Sequence, residues 1–91
     1  MSKKEEIMRV IGYLKKNHKV INSCDVYSEE QDVNQALIEC MEKIYRIFDI
    51  AEPVWLSKHS ADLSKFYKTQ FHPDDFMEDV NFDTFEIELI L

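Results

Sequence analysis

The chain has 91 residues, 45% hydrophobic and 32% charged, with a net charge of −7. That length supports one domain with one hydrophobic core, and the apolar content lies above that of disordered segments. No apolar run approaches the roughly 20 residues needed to cross a bilayer, and a single glycine excludes the glycine-rich loops that cradle phosphates.

The opening Met1-Ser2-Lys3-Lys4-Glu5-Glu6 has no continuous apolar core of the kind a secretory leader needs, so a cytoplasmic location is expected. The first predicted element is a helix over 3–17. Ile7, Val10, Ile11 and Leu14 fall on one face of a 3.6-residue period. Glu5 and Glu6 at its start and Lys15 and Lys16 at its end complement the helix dipole. Asn17 is a suitable left-handed terminator. Gly12 would cost about 1 kcal/mol in mid-helix, which marks it as a point of close packing.

Residues 19–27 carry β-branched and aromatic side chains without a helical stripe, so a short strand or extended connection is expected around Val20–Val26. Ser28 and Gln31 then form a capping box for a second helix. Its apolar stripe runs Val33, Ala36, Leu37, Cys40, Met41, Ile44, Ile47, Phe48 and Ala51, a broad face held for five turns. Glu39–Lys43 and Glu42–Arg46 are i,i+4 pairs in the favourable orientation. Pro53 ends the helix at or before Glu52.

A third helix is expected near 58–69, capped by Ser57 or Ser60, with Leu63, Phe66 and Tyr67 inward. Pro73 followed by Asp74 and Asp75 reads as the start of a fourth, over about 73–79. The tail alternates: Phe85, Ile87, Leu89 and Leu91 on one face, Glu86 and Glu88 on the other. That is the period of a half-buried strand. Its partner is the 20–26 segment, the Val54-Trp55-Leu56 stretch, or the same strand in a second copy, which would give a homodimer through the C-terminal strand edge. The expected fold is therefore α+β: three to four helices on a small two- or three-stranded sheet that includes residues 84–91.

Candidate chemistry is sparse. Cys24 and Cys40 are too few for a disulfide scaffold, and Cys40 lies on an apolar face where a thiol packs as a small hydrophobe. His18, His59 and His72 share no zinc spacing. His59 and Asp62 stand i,i+3, which suits local cap or surface chemistry better than catalysis. Asp79, Asn81 and Asp83 open like a calcium loop, but Thr84 stands where its glycine and Ile90 where its terminal glutamate are required. No metal, cofactor or catalytic residue is expected.

The charge is uneven. Residues 1–22 hold six bases against two acids, residues 23–56 eight acids against two bases, and residues 71–91 seven acids and no base. Phosphate contacts come from Lys and Arg, so direct nucleic-acid binding is not expected, nor is membrane association. A protein partner with a basic surface is. The candidate interaction surface is Asp74, Asp75, Glu78, Asp79, Asp83, Glu86 and Glu88. The expectation is a non-enzymatic protein-interaction module. The alternative is a small acidic inhibitor that mimics nucleic acid, with Glu86 and Glu88 as a row of charge.

Overall fold

A computed structural model describes residues 7–90: β1 (Met8–Lys16), β2 (Lys19–Ser28), α1 (Val33–Phe48), α2 (Ser57–Phe66), β3 (Lys68–Phe71), a 3-10 turn at Pro73–Asp75, and β4 (Thr84–Ile90). The α+β class is as expected, but the inventory differs: among the described residues there are two α-helices on a four-stranded antiparallel sheet of order β2-β1-β4-β3.

The largest correction is β1, which replaces the first expected helix; residues 3–6 of that helix lie outside the described residues. Val10 and Leu14 are four apart, a spacing that suits a helix turn and a strand face equally. The decision falls to the neighbours. β1 pairs with β2 along Met8–Lys16 and with β4 along Arg9–Lys15, so its backbone is satisfied from both sides. Met8, Val10, Gly12 and Leu14 then face the core, and Arg9, Ile11, Tyr13 and Lys15 face the open side. Asn17 does adopt a positive φ, but together with His18 (54° and 66°) it forms the two-residue turn of the β1–β2 hairpin. Gly12 marks close packing, now against α1. A Cβ there would lie 3.1 Å from Ile44 Cγ2 and 3.3 Å from Phe48 Cε2.

β2 covers the segment expected to be extended. α1 starts at Val33, and its cap is Asp32 rather than Ser28: Asp32 Oδ1 accepts the N–H groups of Asn34 (2.9 Å) and Gln35 (3.1 Å). Ser28 belongs to β2, where its hydroxyl accepts the Glu30 N–H and donates to Glu39. Ala36, Cys40, Met41, Ile44 and Phe48 are buried against the sheet. Asp49 terminates α1 in the left-handed region, and Ile50 N–H donates to the Tyr45 carbonyl at 3.0 Å.

α2 is shorter than expected. Tyr67 turns left-handed (φ 61°), and Lys68–Phe71 become an edge strand. Neither expected serine caps it. Its N-cap is Leu56, whose own N–H is taken by His59 Nδ1 at 2.9 Å. Leu63 is buried as expected, whereas Phe66 (63% exposed) and Tyr67 (47%) are not. The expected helix over 73–79 contracts to one 3-10 turn, because Phe76 leaves it in extended conformation to enter the core.

β4 occupies the interior of the sheet. Its expected pairing partners are corrected to β1 along Arg9–Lys15 and β3 along Lys68–Phe71. Beyond Glu88, Leu89 N–H donates to the Tyr67 carbonyl at 2.7 Å. From Phe85 to Leu89 both edges of the C-terminal strand are thus paired within the chain. Among the described residues the long edge left open is β2. Leu91 lies outside the described residues. Phe85 stands at the middle of the core, with the rings of Tyr45, Phe48 and Phe71 at 6.2, 6.0 and 5.7 Å.

Candidate functional site

α1 and α2 pack on the same face of the sheet without closing on each other. Between them runs a groove of about 1180 Å³. One wall is α1, presenting Val33, Leu37, Ile38 and Met41; the other is α2 with Leu63 and the following Tyr67. Met8 and Leu89 contribute from the sheet, and Trp55 and Glu52 from the α1–α2 connection. The stripe of α1 is wider than the sheet can bury. Its centre packs inward while its flank stays open, with Val33 67% and Ile38 50% exposed. Ile38 lies beside the expected stripe rather than on it.

Glu42 and Glu52 are the charged residues that line this groove, and among the described residues neither joins a salt bridge. The expected Glu39–Lys43 pair forms at 3.7 Å, but Glu42 faces the groove instead of pairing with Arg46. Tyr45 lines the same groove and feels the charge of both carboxylates. Burial, aided by the charges of Glu52 and Glu42, pushes its phenol up to about 12, against a partial offset from the Trp55 indole N–H that its oxygen accepts at 3.4 Å.

The seven expected acidic residues are divided. Asp74, Glu78 and Asp79 are exposed on the β3–β4 connection, around Met77, which is 85% exposed. Asp75 is half-buried and accepts the His72 N–H at 2.9 Å, while Asp83 accepts the Asn17 N–H at 2.8 Å and so ties the β1–β2 turn to the start of β4. Glu86 is buried on the open side of the sheet, where Lys15 Nζ (2.7 Å) and Gln70 Nε2 (3.1 Å) both donate to Oε1. Desolvation opposes its ionisation, but those two hydrogen bonds and the charges of Lys15 and Lys68 outweigh it and hold the carboxyl below its ordinary value. Glu88 stands opposite Lys68 in the register. Glu86 and Glu88 therefore sit in a charge-balanced sheet face, apart from the loop acids.

His59 is fully buried, stacked on Phe71 at 4.2 Å. It does provide cap chemistry, through Nδ1, but from the core. Accepting with Nδ1 places its proton on Nε2, which has no hydrogen-bond partner and lies 3.7 Å from Asp75 Oδ2. Burial lowers its pKa, against a partial offset from Asp75. Asp62, its expected neighbour, instead accepts from the Thr69 hydroxyl at 3.1 Å. Burial also pushes the Cys24 and Cys40 thiols up, away from thiolate chemistry. Among the described residues no three His, Cys, Asp or Glu converge to hold a metal ion, and no helix is long and apolar enough to cross a membrane.

Comparison with protein-family models, curated proteins and solved structures finds no match to this chain.

Proposed function

We propose that this chain is a non-enzymatic protein-interaction module that selects a partner with a basic surface. The observation that carries this reading is the junction of two unlike surfaces. The Val54 N–H donates to the Asp75 carbonyl at 2.7 Å, so the α1–α2 groove, which Glu52 and Trp55 line, adjoins the loop bearing Asp74, Met77, Glu78 and Asp79. Open apolar concavities rimmed by polar groups mark interaction sites. The exposed carboxylates beside this one contribute steering and selectivity toward Lys and Arg.

The nucleic-acid-mimic reading has less support, because Glu86 is already held by Lys15 and Gln70. The test is affinity capture from the native cell at low and high ionic strength, using wild type and an Asp74→Lys/Glu78→Lys/Asp79→Lys variant whose folding is checked by circular dichroism. The expected outcome is a partner retained at low salt and lost both at high salt and in the variant. A captured set that responds to neither reduces the acidic loop to a solubility device and removes the reading.

A further inference from the structure

Resting on that reading, we infer that the groove seats one amphipathic α-helix of a partner protein, with Lys or Arg flanking its apolar stripe. Size argues for a polypeptide segment. Small-molecule sites occupy roughly 300–1000 Å³ and enclose most of their ligand, whereas this groove holds about 1180 Å³ and leaves Val33, Ile38, Ile7 and Tyr67 about half exposed or more. A helix about 11 Å across, rising 5.4 Å per turn, fills about 500 Å³ per turn, so the groove accommodates roughly two turns.

The backbone decides which conformation fits. Both walls are helices whose amides are spent internally, and Leu89 on the floor belongs to a strand paired on both sides. An extended peptide would find no ladder to join, and each N–H or C=O it buried would lose its water without gaining a partner. A helix satisfies its own backbone. The α1 wall offers a matching surface: Val33, Leu37, Met41 and Tyr45 follow one another at four-residue intervals, the ridge into which a second helix packs. From Val33 to Tyr45 that ridge is about 18 Å long, or a little over three turns.

Charge chooses the occupant. Glu42 and Glu52 present carboxylates to the groove, and among the described residues no cation lines its walls. A second copy of a chain with net charge −7 is repelled from them, whereas cationic side chains beside an apolar stripe are drawn in. Met8, half-buried on the floor, supplies an adaptable contact to the stripe.

The probe is a synthetic Leu/Lys peptide of about 18 residues with leucines at helical spacing. Two controls accompany it: the same composition with leucine at every second position, and a Leu/Glu version of the helical pattern. Binding is followed by the emission of Trp55, the single tryptophan, and by backbone amide shifts of the full chain. The expected result is binding by the helical Leu/Lys peptide alone, with perturbations confined to Val33–Tyr45, Trp55 and residues 60–67. A Glu42→Lys/Glu52→Lys variant and an Ile38→Lys variant, all at exposed positions, should each weaken that binding about tenfold or more. Equal binding by the alternating peptide, or perturbations outside the groove, overturns the inference. So does a dimer by light scattering that Ile38→Lys dissociates, since a second copy is then the occupant. A change in Trp55 emission on Lys3→Glu/Lys4→Glu substitution without peptide also overturns it, by showing that the chain fills its own groove. If the peptide fails while the loop variant still loses its cellular partner, the module reading stands and the helix inference falls.

Discussion

The open face of the sheet and the α1–α2 groove treat their charges in opposite ways. On the sheet face, Arg9 pairs with Asp25, Lys15 with Glu86, and Lys68 stands opposite Glu88, so bases and acids match. In the groove, Glu42 and Glu52 have no basic neighbour on the walls among the described residues. Cross-strand neighbours within about 5 Å neutralise one another on a sheet. No such register operates between two helices held apart. The net −7 is therefore not an even coat: the sheet face balances itself and the surplus collects at the groove and the β3–β4 loop.

The most disruptive way to break this contrast is to move the groove wall. Gly12→Val places methyl groups where Ile44 and Phe48 already sit within 3.3 Å of a Cβ. Overpacking of this kind costs about 1–3 kcal/mol. Urea unfolding should show that loss, and Trp55 emission should report the displaced wall. Next comes Lys15→Met, which makes the sheet face resemble the groove by leaving the buried Glu86 carboxylate with the Gln70 hydrogen bond and only the charge of Lys68 nearby. Losing a charged partner there should cost about 2 kcal/mol near neutral pH. The sign of its pH dependence is fixed. Because folding lowers the Glu86 pKa, its contribution is present above the unfolded carboxyl value and is lost as pH falls through the lower folded value. Urea midpoints measured from neutral to acid pH should show a larger acid-side loss in wild type than in Lys15→Met.

A smaller effect belongs to His59, which joins α2 to the loop. Its pKa is lowered by burial, so the neutral form is favoured on folding. Stability should be complete above the ordinary histidine value and decline as pH falls through the lower folded one. Asp75→Asn, which removes the offsetting charge while keeping an oxygen for the His72 N–H, should steepen that decline in the same midpoint series. The smallest stability change is expected in the groove itself. Val33→Ser with Ile38→Ser should alter the unfolding free energy by less than about 0.5 kcal/mol, since both side chains are half exposed or more, yet should abolish partner binding.

How much of this was legible depended on whether a pattern admits one geometry or two. The alternation Phe85-Glu86-Ile87-Glu88 fits only a strand, and Thr84–Ile90 form β4. The long stripe of α1 fits only a helix. The spacing of Val10 and Leu14 fits both, and acidic and basic residues at either end of 3–17 tipped the reading to a helix. The groove was not legible, because Met8, Leu37, Trp55, Tyr67 and Leu89 come from five separate segments. Ile38, an extra apolar residue beside an already broad stripe, was the one local trace of it.

Composition and local pattern alone determined the α+β class, the central helix, the C-terminal strand and the acidic excess, because each follows from interactions among residues a few positions apart. Tertiary structure decided that the N-terminal segment is a strand, that β4 is interior, and that Glu86 is a buried ion-pair partner rather than a free surface charge. Each of these depends on backbone and charge partners more than ten residues away, such as β4 for β1 and Lys15 for Glu86. Local periodicity carries no information about such partners.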